Sequence, residues 1–174
     1  ASGLAGTSDH SLACISCHRA LGVLPAQILQ WRKSAHFGAG VGCYECHGAK
    51  DGDVDGYSHN GFLISTIVSP KDCAFCHEKE AREFEASKHS RGGDILASLD
   101  NYLGEVVEGL PAVVGGCRQC HGSQIEVEED GKLSPASWPN TGIGRINPDG
   151  SKGSCSACHP RHRFASAVAR RPEN

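Results

Sequence analysis

The chain has 174 residues, the size of a single domain, with a formal charge of −3 and 6% aromatic residues against 22 glycines. So few large apolar side chains make a thin conventional core, and the 17 basic residues are spread out, which argues against a nucleic-acid partner. No apolar run approaches the length of a membrane span.

In chain order, residues 1–13 are small and polar, and Ala1-Ser2-Gly3 reads as the start of a mature chain after signal-peptide removal. His10 stands just before Cys14-Ile15-Ser16-Cys17-His18. Pro25 suits the first turn of a helix, and 26–37 reads as a short amphipathic helix with Ile28, Leu29, Trp31 and Ala35 apolar. That helix carries His36 near its end, and Gly38 and Gly40 stop it. Residues 48–58 read as a polar turn region leading to His59. Their Asp51, Asp53 and Asp55 resemble a calcium loop but lack its terminal Glu, so they read as a solvated loop. Residues 62–68 are β-rich and end at Ser69-Pro70.

Beyond Cys73, 78–89 has opposite charges at helical spacing and predicts a helix that delivers His89 from its last turn. Gly92-Gly93 should break it, and Asp94 should cap a second helix over 95–108, with Leu96, Leu99, Leu103 and Val107 as a packing stripe. Residues 122–154, rich in Pro and Gly, read as a long loop, functional or packed on itself. A short helix should follow His162 and reach Arg171.

The pattern Cys-x-x-Cys-His organises all of this. It begins at Cys14, Cys43, Cys73, Cys117 and Cys155, at intervals too uneven for a solenoid. It is the pattern of covalent c-type haem attachment, in which two thiols take the haem vinyl groups and the histidine takes the iron. A single copy would also fit half a zinc site, a redox dithiol or a disulfide. Five copies use all ten cysteines: Cys14, Cys17, Cys43, Cys46, Cys73, Cys76, Cys117, Cys120, Cys155 and Cys158. The reading is therefore five haem c groups on His18, His47, His77, His121 and His159.

The other five histidines are His10, His36, His59, His89 and His162. There is no Met, so a His/Met site is excluded, and the five spare histidines match five second axial positions. His162 lies three residues after His159, so both leave the backbone on nearby faces. Axial ligands approach one iron from opposite sides, so His162 should serve a neighbouring haem. The fold expectation is a mainly α chain with extensive coil, one pentahaem domain over 1–174, with haems forming the core. Because haem c is attached outside the cytoplasmic membrane, the location should be periplasmic or extracellular. Redox proteins are the expected partners, and end-to-end self-assembly is compatible with the size.

Trp31-Arg32-Lys33-Ser34-Ala35-His36 before Gly42-Cys43, Ser69-Pro70-Lys71-Asp72-Cys73 before Arg82-Glu83-Phe84, and Arg161-His162 with Phe164 and Arg171-Pro172-Glu173 after the fifth motif form a longer pattern. Together they resemble the N-terminal part of the octahaem hydroxylamine oxidoreductase family. The resemblance implies closely packed haems in a mainly helical fold and redox chemistry on small nitrogen compounds. It also implies that the haem at Cys117, Cys120 and His121 is the catalytic one, with no protein ligand on its distal side. Asn174 falls where that family's sixth motif begins, so the resemblance stops short of the family's acid/base pair and cross-linking Tyr. Tyr44, Tyr57 and Tyr102 do not match that Tyr. The chain then reads as a five-haem relative or as a piece of a longer protein. Two functions follow: an electron carrier with every iron capped, or an enzyme acting on hydroxylamine, nitrite or a similar molecule at an open haem on His121.

Overall fold

The computed structural model describes residues 6–96, 106, 107, 109 and 116–164. Its contacts gather into two units, one of residues 1–48 with 158–174 and one of residues 49–157.

In the first unit, helix α1 spans Asp9–Ala20 and contains the whole first motif. Ser8 caps it, its hydroxyl accepting from the Ser11 N–H at 3.2 Å, and Asp9 sits in the first turn, where the helix dipole favours a carboxylate. Helix α2 is Pro25–Trp31 and α3 is Ala35–Gly38. The single helix expected over 26–37 is therefore two. Ser34 divides them: its hydroxyl donates to the Trp31 carbonyl at 2.7 Å and accepts from the Phe37 N–H at 3.1 Å, ending one helix and capping the next. The Trp31 indole is buried, donates to the Val41 carbonyl at 2.9 Å and meets the Phe37 ring edge-on at 4.9 Å. Helix α4, Cys43–His47, is the second motif.

The second unit opens with a hairpin, β1 Gly56–His59 against β2 Phe62–Ser65, antiparallel, with Gly56 opposite Ser65 and His59 opposite Phe62. Asn60 and Gly61 both take positive φ, at 48° and 84°, as a two-residue hairpin turn requires. The region read as a polar turn thus holds a strand, and the segment expected over 62–68 pairs only as far as Ser65. Asp53 and Asp55 serve this corner. Asp53 accepts from the Lys50 N–H at 2.7 Å, and Asp55 accepts from the Ser65 hydroxyl.

Helix α5, Pro70–Cys73, is capped by Ser69, whose N–H and hydroxyl both donate to Asp72. Helix α6, Glu78–Ala86, carries the expected i,i+4 pairs, Lys79 with Glu83 and Arg82 with Glu78. It stops short of His89. Ser87 turns to extended backbone, its hydroxyl bonding the Phe84 carbonyl, and His89 opens a separate 3-10 turn, His89–Arg91. Gly92 and Gly93 begin helix α7, Gly92–Leu96, and Asp94 lies inside its first turn instead of capping it. The rest of the helix expected over 95–108 falls mainly outside the described residues, as does most of the one ending at Arg171.

Helix α8, Arg118–His121, holds the fourth motif, and Cys155–Ala157 forms a 3-10 turn in the fifth. Between them the long loop is packed on itself through isolated bridges: Gln124 with Ile146, Val127 with Leu133, and Ile146 with Lys152. Among the described residues the buried hydrophobic side chains are Ile15, Trp31, Ile67 and Ile125, while Leu21, Leu24, Leu29 and Phe75 are exposed. Among the described residues the fold is helix-rich with one two-stranded sheet and much coil, and the polypeptide alone supplies little core there.

Candidate haem-binding site

In a helical turn, residues i, i+3 and i+4 share one face. The first motif lies wholly within α1 and the second is α4, so each presents its two thiols and its histidine together. The third begins at the end of α5, and the fourth runs into α8. The fifth starts as a 3-10 turn. None of the ten cysteines is joined in a disulfide, and each is half-buried or exposed. Thiols on one face, accessible and backed by a histidine, fit the attachment and proximal ligation of haem c. Such a group would supply reversible one-electron chemistry at its iron.

A latch fixes the first two motifs to one another. The Ser11 hydroxyl, fully buried, donates to Glu45 Oε2 at 2.8 Å and accepts from the Tyr44 N–H at 2.9 Å. The Gly42 N–H also donates to Glu45, at 2.8 Å. A side chain at position 42 would run into Ser11, so glycine is required there. Burial pushes the Glu45 carboxyl up, but the hydroxyls of Ser8 and Ser11 and the Gly42 N–H outweigh it and hold the group below its ordinary value. The Cys43 thiol is pushed up to about 11, by burial first and by the neighbouring Cys14 next. The Ser11 bonds make the first two motifs close neighbours.

The third and fifth motifs meet as well. The Cys73 thiol hydrogen-bonds Cys155 and, against the effect of burial and with the Arg145 guanidinium nearby, brings Cys155 down to about 7. Arg145 is itself almost fully buried. Its Nε donates to Asn147 Oδ1 at 2.8 Å and its Nη2 to the Val68 carbonyl at 2.5 Å. Nothing in the sequence marks this arginine, which sits unheralded in a glycine-rich loop.

The fourth motif is gripped by its backbone. Ile143 N–H donates to the Cys120 carbonyl and Gly144 N–H to the His121 carbonyl, both at 2.9 Å, while Gly93 N–H donates to the Gly144 carbonyl at 3.0 Å. A Cβ on Gly92 would lie 2.7 Å from the His121 oxygen, and one on Gly144 would strike Gly92. Three backbone segments approach at distances that only glycine permits.

Of the spare histidines, His10 lies on α1 with its ring 4.7 Å from that of Tyr44. His36, on α3, is 5.1 Å from Phe164. His59 ends β1, 6.3 Å from Tyr57, and His89 is exposed at the start of its 3-10 turn. The contacts of His10, His36 and His59 are with Tyr or Phe rings. His162 differs: its ring faces that of His47 at 6.4 Å with 26° between the planes. Burial, then His47 and Arg161, hold the His162 imidazole below its ordinary pKa, which favours the neutral ring with a free lone pair.

Repeated thioether-type motifs on helical turns, joined in neighbouring pairs on a scaffold with little core of its own, define a multihaem c-type cytochrome. The chain belongs to the outer membrane cytochrome MtrC/MtrF-like family, domains II/IV, whose pattern matches residues 5–170. It is also similar to a solved structure described as a hypothetical multiheme protein, with a TM-score of 0.84 and 28% identity over 98% of this chain and 42% of that one. The chain thus spans about two-fifths of the length of that protein. These comparisons point to multihaem cytochromes in general and to the MtrC/MtrF-like group, not to the octahaem hydroxylamine oxidoreductases that the sequence resembles. No helix among the described residues is long and apolar enough to cross a membrane.

Proposed function

We propose that this chain is a five-haem electron-transfer domain that works outside the cell or at the outer membrane and passes electrons to redox partner proteins. The observation that carries the reading is the latch that sets the first motif against the second, Ser11 of α1 bonding Glu45 and Tyr44 of α4. Neighbouring motifs anchor neighbouring macrocycles, and a series of them conducts. Residues 1–174 act as one pentahaem domain, with His18, His47, His77, His121 and His159 as proximal ligands. His10, His36, His59, His89 and His162 supply the distal ones. Bis-His ligation without Met favours low potentials, and a capped iron offers no place for substrate.

Optical quantitation of haem against protein should give five haems per chain. Low-temperature EPR of the oxidised protein should then show only low-spin ferric signals, unchanged by nitrite or cyanide. The resemblance to the hydroxylamine oxidoreductases supports a second reading, an open iron at His121. A high-spin component from one haem in five that shifts with added ligand would replace the carrier with that enzyme.

A further inference from the structure

We propose that His162 is the distal axial ligand of the haem attached at Cys43 and Cys46, opposite His47. The proposal rests on the five-haem reading above and deepens it by naming one ligand pair.

The geometry begins with the two rings. Their centroids are 6.4 Å apart, with 26° between the planes. Rings in direct stacking contact would have their planes about 3.5–4 Å apart. The pair is stacked within the ordinary range for aromatic centroids, about 4.5–7 Å, and ligation of one shared iron would account for the spacing as well. A C–N bond of about 1.33 Å gives an imidazole ring a radius of about 1.1 Å, and a metal–imidazole bond is about 2 Å, so two imidazoles on opposite sides of one iron hold their centroids about 6 Å apart. The observed separation matches that distance. Two rings end-on to one iron both contain the bond axis, so a small twist between their planes is allowed.

The backbone supplies an independent argument. His162 has φ 65°, in the left-handed region, which a non-glycine residue keeps only if its surroundings hold it there. The surroundings do hold it: Pro160 restricts the approach, and the Phe164 carbonyl accepts from the Ala35 N–H at 3.1 Å while its ring packs on His36. The segment is pinned on either side of His162, and the conformation directs the imidazole toward His47. His162 cannot serve its own neighbour His159, so the second haem is the acceptor this geometry offers.

The test counts open irons in the full holoprotein. His162→Ala and His47→Ala should each turn about one haem in five high-spin by EPR, from a wild type with none. If both serve the same iron, the double variant still gives one in five. Two in five in the double variant, or a His162→Ala protein in which every haem stays low-spin, would overturn the pairing. Should the alanine variants yield no folded holoprotein, His162→Met, His47→Met and their double variant give the same count through Met-to-iron charge-transfer bands. One altered haem in the double supports the pairing, and two separate His/Met haems refute it. An open iron already present in the wild type would count against the capped-carrier reading without touching this pairing, which is scored on the change from wild type.

Discussion

At the scale of the residue, Ser11 joins two motifs through a single hydroxyl. One buried hydroxyl donates to Glu45 and accepts from the Tyr44 N–H, tying the helix of the first motif to the turn of the second. Removing it leaves a backbone donor unsatisfied and exposes no compensating apolar surface. Ser11→Ala should therefore cost about 1–3 kcal/mol, read as a lowered urea midpoint of the holoprotein. Asp149 provides a pH-dependent case. Burial pushes its carboxyl up, but the Ser151 hydroxyl and the Lys71 ammonium, 3.0 Å away, hold it below the ordinary value of 3.8. The unfolded chain then binds more protons around that pH, so the contribution is complete above it and is lost as pH falls through the folded value. Asp149→Asn should cost at most about 1 kcal/mol at pH 7, because the pair is partly exposed, and close to nothing in strong acid. Equal losses at both pH values would mean that the carboxylate charge is not what stabilises this corner.

At the scale of the element, the chain is held by close backbone approaches more than by packed side chains. Gly144 is the clearest example, because a Cβ there meets the backbone of Gly92, which cannot swing away as a side chain can. Gly144→Ala should destabilise by more than about 3 kcal/mol or lower the yield of mature protein, whereas Gly38→Ala, which meets nothing within 4 Å, should be near neutral in the same thermal melts. This grip on His121 was not legible in the sequence, since glycines far apart in the chain give no sign of which backbone they will face. The ends of elements were lost to serine: Ser34 divides the expected helix over 26–37, and Ser87 leaves His89 outside α6. Each hydroxyl competes for backbone groups that a periodic pattern assigns to the helix. The hairpin is legible in Asn60-Gly61 between Tyr57 and Leu63, a strong short-range turn signal. Helix α1 likewise announces itself in Ser8-Asp9, a cap followed by a first-turn carboxylate. The five Cys-x-x-Cys-His motifs were legible because each is contiguous in the chain. The approach of the His162 and His47 rings was not, because it depends on how distant segments meet.

At the scale of the molecule, the sparse core has a direct consequence. The buried hydrophobic side chains among the described residues are four, and large apolar groups such as Leu21, Leu29 and Phe75 stand exposed on the polypeptide. Burial on this scale does not offset the entropy of ordering a chain this long, about 1–2 kcal/mol per residue for the backbone alone. The missing apolar surface must come from the haems, whose attachment is then part of folding. Expressed without haem-attachment machinery, the chain should show no cooperative thermal transition by circular dichroism and little hydrogen-exchange protection. A holoprotein of Cys14→Ser/Cys17→Ser should carry four haems and lose protection first in α1 and α4, the helices joined through Ser11. The polypeptide's own hydrogen bonds favour the opposite outcome, since the Ser11–Glu45 latch and the glycine contacts at His121 involve protein atoms alone. The two sources of order separate in one measurement. A haem-free chain that melts cooperatively would mean that the backbone network carries the fold and the haems only occupy it. A chain that does not would mean that the network positions haems whose burial provides the stability.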